Sequence, residues 1–290
     1  MIYPHPLDLH MHSTVSDGTD TPEEILQNVK KAGLALFALS DHDAIKGCKE
    51  MRSLLQEGDP HFIPGAEFSC RDEHGEYHIL GYDYDPESEA IRQLVDFGHS
   101  LRMRKLVARI DFLKTKFGFS FPEDELQRLY HRDNPGKPHI GNLMVQYGYA
   151  KSKEDAIKNY INKISFPKAY LRPEQAIQGI RAAGGVPVLA HPSYGSGDQL
   201  IIGEYMERRI LRLMDEGLEG LEGFYSGFTT ALRDEILSFA EKYSLYVTAG
   251  SDYHGRNKMI FLGDTGLTPE MPWPDGLRRF LERVGMAFES

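Results

Sequence analysis

Residues 8–18 read DLHMHSTVSDG, and they point to an α/β fold with a metal site at a strand end. Leu7 to His12 alternates apolar and polar residues, which is typical of a β-strand. His10 and His12 are two residues apart, so on a strand both project to the same face. Asp17 follows in a Ser-Asp-Gly sequence that is also typical of a turn. The stretch therefore predicts a strand that brings two imidazoles and a carboxylate together.

The same unit, an apolar run that stops at a metal-seeking side chain, recurs along the chain. Leu34 to Leu39 stops before Asp41-His42-Asp43, and Tyr246 to Ala249 stops before Gly250-Ser251-Asp252-Tyr253-His254. Taken singly, each such residue also fits a hydrogen-bonded core histidine or a turn. As a set they predict a metal cluster, since independent core histidines have no reason to concentrate at strand ends. The candidate ligands are His10, His12, Asp17, His42, Glu67, His78, His191, Asp252 and His254.

Helical signals separate the predicted strands. Thr21 is an N-cap candidate followed by Pro22, and the helix they open is predicted to end at Gly33. Strands that alternate with helices predict parallel pairing with right-handed crossovers. When such units close into a barrel, the chemistry collects at the carboxyl ends of the strands. Further strands are predicted at 186–190, 220–224 and 246–249.

The middle of the chain has a different pattern. Leu106, Ile110, Leu113 and Phe117 recur at helical spacing, and further helical patterns follow to about residue 163. We predict a helical insert, a cap over the substrate, at residues 99–168. The barrel then comprises residues 1–98 and 169–290.

Composition limits the class of protein. Net charge is −10, from 33 basic and 43 acidic residues, which argues against binding of long duplex DNA but not of a small anion. No run of about 18 apolar residues and no leader pattern occurs, so we expect a cytoplasmic protein without a membrane span. The cysteines, Cys48 and Cys70, form no CxxC pair. Metals must therefore bind to imidazole and carboxylate, a ligand set that suits manganese, iron or zinc.

Six motifs resemble the successive motifs of the polymerase and histidinol phosphatase (PHP) family. They are DLHMHSTVSDGTDTPEEI, ALSDHD, GAEFS, YHILGY, LAHP and GSDYHG, and they span residues 8–83 and 186–255 in the family's order. The layout is most similar to the PHP phosphoesterases with a helical insert. That subgroup includes nucleoside 3′,5′-bisphosphate phosphatases and a 5′ to 3′ oligoribonuclease.

The resemblance implies a distorted (β/α)7 barrel that holds three divalent ions of manganese, iron or zinc, a trinuclear metal centre. It implies three ligand groups, of which the first two share a bridging glutamate. The groups are His10, His12, Glu67 and Asp252; Glu67, His78 and His191; and Asp17, His42 and His254.

The expected chemistry is phosphate-ester hydrolysis. Adjacent cations lower the pKa of a bridging water, so we predict metal-bound hydroxide as the nucleophile. The same ions neutralise charge on the phosphoryl oxygens. The acid that protonates the leaving oxygen stays open between Asp43 and a cluster histidine, and Asp43 also fits the role of orienting an imidazole.

The predicted insert carries candidate substrate-binding residues. Arg102, Lys105 and Arg109 share one helix face, which we expect to be solvated. Arg132 and the Gly136-Lys137-Pro138-His139 segment form a second basic cluster. It is similar to a Gly-Arg-Pro-His segment that binds substrate phosphate in relatives, with a lysine here replacing the arginine fork. The predicted contacts are Arg102, Arg132, Lys137, His139 and Tyr225, of which Tyr225 is a candidate to stack on a base.

We therefore predict a metal-dependent phosphoesterase for a small phosphorylated nucleotide. The favoured substrate is a nucleoside 3′,5′-bisphosphate, whose 3′-phosphate is removed to give a nucleoside 5′-monophosphate. The first alternative is a 5′ to 3′ exonuclease on short RNA. A histidinol-phosphate-type phosphatase and a non-catalytic metal-binding module are further alternatives. The sequence does not indicate an oligomeric state.

Overall fold

The computed structural model describes residues 6–166, 169–195 and 199–286. Its seven strands form one sheet in sequence order that curls into a nearly closed barrel. The strands are β1 (Leu7–Asp8), β2 (Leu36–Leu39), β3 (His61–Asp72), β4 (Gly75–Tyr82), β5 (Val186–Leu189), β6 (Gly220–Tyr225) and β7 (Tyr246–Gly250). The first and last strands approach each other where Leu9 N donates to Ala249 O at 2.9 Å. The predicted barrel is confirmed.

Ten α-helices lie in the described part of the chain. They are α1 (Pro22–Ala32), α2 (Lys46–Leu54), α3 (Glu89–Phe117), α4 (Glu123–Tyr130), α5 (Lys137–Gln146), α6 (Lys153–Asn159), α7 (Pro173–Ala182), α8 (Gly203–Asp215), α9 (Thr230–Lys242) and α10 (Asp275–Arg283). Short 3-10 turns occur at Ile161–Lys163 and Gly255–Asn257. The sequence patterns did not predict α8 and α10. None of the helices in these ranges has the length and apolar character needed to cross a membrane.

Helix α1 shows how local chemistry sets an element's ends. Thr21 accepts from the Glu24 backbone N–H, and the Glu24 side chain accepts from the Thr21 N–H in return. This capping box satisfies two donors that the first helical turn leaves unpaired. Gly33 ends the helix with a φ of 67°, a conformation that glycine adopts without strain. Both predicted ends of this helix are confirmed.

The sheet is mixed, whereas the alternation of strands and helices had predicted parallel pairing. β3 pairs antiparallel with β4, and β4 pairs antiparallel with β5, while the other four pairings are parallel. The reason is the tight turn between Asp72 and Gly75, where Asp72 Oδ1 accepts from the His74 and Gly75 backbone N–H groups. Such a short connection can join only antiparallel strands, because a parallel pair needs a long crossover.

The sequence suggested that every candidate ligand follows the end of a strand, but some of them do not. Glu67 and His78 lie inside β3 and β4, and the strand that precedes His10 and His12 ends at Asp8. Met11 nevertheless bridges to Tyr253 across the closing edge. The imidazoles thus remain on extended backbone, which still directs them to one side.

A second apolar core lies among α3 to α6. Leu106, Ile110 and Leu113 pack there with Leu129 and Ile140, separately from the main barrel cluster. Helix α3 starts at Glu89, before the predicted insert boundary at residue 99. Residues 167–168 at the other boundary, and residues 1–5, 196–198 and 287–290 of the predicted barrel, lie outside the described residues. The division into barrel and insert stays a prediction.

Candidate metal centre

Glu67 lies at the centre of the site, and one of its oxygens meets three imidazoles. Glu67 Oε2 is 3.3 Å from His10 Nε2, 3.2 Å from His12 Nε2 and 3.2 Å from His42 Nδ1. The Glu67 carboxylate is 1% exposed, so bulk solvent does little to stabilise its charge. A buried carboxylate surrounded by ring nitrogens is the arrangement that a shared cation would require.

The second oxygen of the same carboxylate meets another pair of imidazoles. Glu67 Oε1 is 2.8 Å from His78 Nδ1 and 3.2 Å from His191 Nε2. The two ring nitrogens are 3.2 Å apart. Glu67 therefore stands between two groups of histidines, as a bridging ligand would.

Asp252 completes the first group of side chains. Its Oδ1 is 3.6 Å from His10 Nε2, 3.4 Å from His12 Nε2 and 3.3 Å from His254 Nδ1. Asp252 has a positive φ of 61°, which is uncommon for a residue with a side chain and is frequently found at functional sites. The turn after β7 thus aims this carboxylate back into the barrel mouth.

Asp17 organises a third group. Its Oδ1 is 3.2 Å from His254 Nε2 and 3.8 Å from His12 Nδ1. Asp17, His254, His12 and His42 can each offer an atom to one shared point. His12 thus joins the group that the resemblance gave as Asp17, His42 and His254.

These side chains fit divalent metal ions. Three sets have ligand atoms within 4.8 Å of one another: His12, Asp17, His42 and His254; His10, His12 and Glu67; and His42, Glu67 and His78. Four of the buried atoms that make no hydrogen bond within the described residues belong to this site, namely His10 Nε2, His12 Nε2, Asp17 Oδ1 and His42 Nδ1. Buried polar atoms rarely lack a partner, so orphaned lone pairs that converge on one cavity fit bound cations.

The electrostatics of the site set opposite protonation states for its imidazoles. Burial alone would raise the pKa of Glu67, but the neighbouring imidazoles hold it well below its usual range. Burial lowers the pKa of His42 to about 3, although nearby carboxylates oppose the effect. Burial would also lower the pKa of His10 and of His12, but the carboxylates around them raise the first well above its usual range and the second to about 9. At neutral pH Glu67 and His42 therefore have the protonation states of metal ligands, whereas a cation at His10 and His12 must displace their protons.

Glu222 is an important residue that the sequence analysis missed. It is fully buried in β6, where Oε1 is 2.8 Å from His10 Nδ1 and Oε2 accepts from the His191 backbone N–H at 2.7 Å. A carboxylate on the far ring nitrogen fixes the tautomer and orientation of a metal-binding histidine. Its only signal was an acid inside the apolar strand sequence GLEGFY.

Asp41 has a similar supporting role. Its oxygens accept from Ser13 N at 2.8 Å, Ser13 Oγ at 2.7 Å and Ser16 Oγ at 2.6 Å. These bonds fix the loop between His12 and Asp17. Asp41 therefore shapes the loop that presents ligands, and its carboxylate is not one of the groups that converge on the centre.

Asp43, a candidate acid, is committed elsewhere. It accepts from Arg102 Nε at 3.0 Å, from Arg102 Nη2 at 2.5 Å and from the Ser69 backbone N–H at 3.0 Å. Burial would raise the pKa of Asp43, but Arg102 holds it below its usual range. An ionised carboxylate with these partners favours the role of positioning Arg102 over that of proton donor.

The basic face of α3 is not solvated, contrary to the expectation from sequence. Lys105 and Arg109 are each 7% exposed. Lys105 Nζ lies 3.4 Å from the centre of the Tyr170 ring, and the Arg109 guanidinium lies 5.4 Å from that of Phe166. The helix turns this face toward the segment that leads back into the barrel, so its cations are buried by tertiary packing that helical spacing does not reveal.

The buried cations form a cluster with Lys137. Burial is the largest cause of a lowered pKa at Lys105, to about 7, and at Lys137, where Arg109 lowers it further. Arg109 Nε is buried without a hydrogen-bond partner among the described residues. Positive charges held together in this way favour an anion between them.

The remaining candidate residues lie at the edge of the site. Arg132 and His139 line a cavity of about 310 Å³ on α4 and α5, and His139 Nδ1 accepts from the Gly136 backbone N–H at 3.0 Å. Tyr225 donates its hydroxyl to Asp252 Oδ2 at 3.0 Å. Lys258, which the sequence analysis did not single out, also contacts Asp252, at 2.5 Å.

A nearly closed β/α barrel whose mouth gathers imidazoles and carboxylates defines a metal-dependent hydrolase. More narrowly, the chain belongs to the PHP domain family, whose model matches residues 8–164. The predicted family is confirmed.

Two curated relatives and one solved structure are similar over most of the chain. A 5′-3′ exoribonuclease of Haemophilus influenzae is 30% identical over 259 residues, 88% of this chain and 92% of the relative. A 3′,5′-nucleoside bisphosphate phosphatase of Chromobacterium violaceum is 29% identical over 278 residues, 92% of each chain. A structure described as a metal-dependent phosphoesterase from Bifidobacterium adolescentis has a TM-score of 0.79 at 29% identity and covers 96% of each chain. These names cover both the predicted phosphatase and the exonuclease alternative.

Proposed function

We propose that the protein is a metal-dependent phosphoesterase that removes the 3′-phosphate of a nucleoside 3′,5′-bisphosphate and leaves the nucleoside 5′-monophosphate. The observation that carries the proposal is the pairing of two unlike sites. One is the imidazole and carboxylate cluster around Glu67, and the other is the cation cluster of the buried Lys105 and Arg109 with the half-buried Lys137. A substrate with two phosphates has a group for each. The relative named as a bisphosphate phosphatase supports this choice.

The proposal includes three divalent ions of manganese, iron or zinc at the barrel mouth, and a cytoplasmic protein. His10, His12, Glu67 and Asp252 would hold the first ion. Glu67 with His78 and His191 would hold the second, and Asp17 with His42 and His254 the third. When bound, such ions supply Lewis-acid stabilisation of phosphoryl oxygens and water activated at neutral pH.

The chain's own residues bind and orient the substrate. Lys105, Arg109 and Lys137 hold the phosphate that does not react, which fixes the distance between the reacting phosphate and the metal ligands. Asp43 holds the Arg102 guanidinium at 2.5 Å, at the boundary between the two sites. Arg132 and His139 line a neighbouring cavity on the insert side; burial lowers the pKa of His139 to about 4, so its imidazole is neutral and Arg132 carries the positive charge.

Asp43 does not supply the proton for the leaving oxygen, because it is ionised and paired with Arg102. The six imidazoles of the cluster are each assigned to an ion, and a ring nitrogen that holds an ion has no proton to give. Neither candidate is therefore assigned as the general acid.

A second candidate function is 5′ to 3′ trimming of short RNA, and one feature favours it. A groove of about 770 Å³ runs beside the metal centre from Thr19 past Tyr253 and Lys258 to Phe261. It would accommodate nucleotides beyond the first. A relative that is 30% identical to this chain is named as an exoribonuclease.

A substrate panel tests the proposal. The purified protein is incubated with manganese and a nucleoside 3′,5′-bisphosphate, its 3′-monophosphate, histidinol phosphate, or oligoribonucleotides of increasing length. We expect the highest kcat/KM for the bisphosphate, with inorganic phosphate and the 5′-monophosphate as products. Faster release of mononucleotides from the oligomers would favour the exonuclease, and preference for histidinol phosphate would favour that phosphatase. If every ester stayed intact with each metal, only a metal-binding module would remain.

A further inference from the structure

A second cationic pocket lies on the opposite side of β4 from the metal centre. Tyr77 and His78 are consecutive strand residues, so their side chains face opposite sides of the sheet. His78 reaches Glu67, whereas Tyr77 lies buried beneath α8. The cavity there has a volume of about 300 Å³. Its lining residues are His74, Tyr77, Tyr205, Arg208, Arg209 and Arg212.

Arg209 is the central residue of this pocket. It is only 6% exposed, and its guanidinium stacks on the Tyr77 ring with the two centres 4.1 Å apart. Its Nη2 donates to the Glu76 carbonyl at 2.8 Å, which is a neutral partner. Within the described residues its Nε makes no hydrogen bond, and no carboxylate lies within ion-pair distance of it. A buried charge of this kind is costly unless an anion accompanies it.

The two neighbouring arginines complete a cationic wall. Arg212 pairs with Asp72 and donates to the Tyr77 hydroxyl. Arg208 and Glu204 are both exposed, and Arg208 Nη1 lies 3.3 Å from Glu204 Oε2. Solvent largely screens an ion pair of this kind. Asp72 and Glu204 are each paired with another arginine, and Asp72 acts on Arg209 only at longer range, so no carboxylate pairs directly with this buried charge.

We propose that this pocket binds a phosphate group, inorganic or carried by a nucleoside monophosphate, at a site separate from the catalytic centre. Guanidinium groups bind phosphate through paired N–H donors, and Arg208 at the rim offers a whole guanidinium. Arg209, whose Nε is shielded from solvent, lines the cavity behind it and contributes its positive charge. The ring of Tyr205 is 44% exposed beside Arg208, so it provides a surface on which a base can stack. The volume suits a ligand of mononucleotide size.

Calorimetric titration of the metal-loaded protein with adenosine 5′-monophosphate, and separately with inorganic phosphate, tests the proposal. The variants are Arg209→Met, which keeps the apolar stem, and Arg208→Gln at the exposed rim. Arg181→Gln is the matched control, since Arg181 is also an exposed helical arginine, paired with Glu219 at 3.1 Å. Lys105→Met marks binding at the catalytic side. Hydrolysis is measured in parallel.

We expect two classes of site in the wild type and in Arg181→Gln. Arg208→Gln and Arg209→Met should weaken one class by about tenfold or more, since the first removes a charge-assisted hydrogen bond and the second a buried positive charge, and both should leave hydrolysis of saturating substrate unchanged. Lys105→Met should affect only the other class. If the wild type binds the nucleotide more tightly than inorganic phosphate, and Tyr205→Ala abolishes that difference, the ligand is the nucleotide. Equal affinity for the two identifies free phosphate as the ligand.

Two results would overturn the proposal. The first is wild-type binding at a single class of site that responds to Lys105→Met and not to Arg208→Gln. The second is unchanged binding in Arg208→Gln and, where it folds, in Arg209→Met. Because the readout is binding, a protein that hydrolyses none of the tested esters would still show the Arg209 site.

Discussion

Asp43 and Arg102 form a buried ion pair that joins the loop after β2 to α3. The carboxylate is 4% exposed and the guanidinium 12% exposed, and their closest atoms are 2.5 Å apart. Asp43 follows His42 directly, and it adopts a positive φ of 47° to reach this partner. The pair thus fixes the first helix of the predicted insert to a loop that carries a candidate metal ligand.

We expect Asp43→Asn to destabilise the protein by about 3 kcal/mol, since it leaves a buried guanidinium without a counter-charge. Urea denaturation measures this loss. KM for the bisphosphate should rise more than kcat falls, because Arg102 loses its fixed position. The double variant Asp43→Asn, Arg102→Met should regain most of the stability, since it removes both charges. A stable Asp43→Asn protein with kcat lowered about 10²-fold or more would instead indicate a general acid.

We expect Glu222 to affect metal binding although it would not contact the metal itself. Glu222→Gln keeps the size of the side chain but weakens its 2.8 Å contact with His10 Nδ1. We expect metal affinity or activity to fall about 10- to 100-fold, as is usual when the partner of a ligating imidazole is changed. Measured metal content should fall, and excess manganese should restore activity. The control is Glu219→Gln. Glu219 immediately precedes β6, and its ion pair with Arg181 is exposed. Unchanged metal content in Glu222→Gln would contradict this role.

Glu67 and Asp17 should differ in how many ions they control. Glu67 belongs to two of the three sets that can hold an ion, whereas Asp17 belongs to the remaining one. We expect Glu67→Gln to lose the ions of two sets and Asp17→Asn to lose one, as measured by elemental analysis after gel filtration. Circular dichroism checks that both variants fold. Equal metal loss in the two variants would refute a bridging role for Glu67.

The sequence predicted that these imidazoles and carboxylates would converge, because each belongs to a short motif with a periodic strand pattern beside it. Taken singly, His10, His12 and His42 each also fit a hydrogen-bonded core histidine, so the prediction rested on the whole set. The barrel could be predicted too, since alternation of strand and helix leaves few topologies. The sequence also indicates a turn at Asp72 to Gly75 between two extended pieces, and a turn that short joins only antiparallel strands, although the alternation of strands and helices by itself predicts parallel pairing.

The parts that the sequence did not reveal depend on tertiary packing. Glu222 is one acid within an apolar strand, and only the position of His10 across the barrel gives it a role. Lys105 and Arg109 have the spacing of a solvated helix face, and the chain around Phe166 and Tyr170 buries them. The Arg209 pocket is built by α8, a helix that the patterns did not predict.

The lowered pKa of Lys105 should make binding of the second phosphate depend on pH. Burial, with repulsion from Arg102, lowers its pKa to about 7, against about 10.4 for an exposed lysine. Below pH of about 7 the free protein carries the charge that attracts phosphate; above it, the proton must be taken up on binding, so affinity falls. We therefore expect KM for the bisphosphate to rise with pH through this range, relative to KM for a simple aryl phosphate. Lys105→Met should raise KM at low pH and remove the dependence. A KM ratio that stayed constant in the wild type would show that Lys105 does not hold the second phosphate.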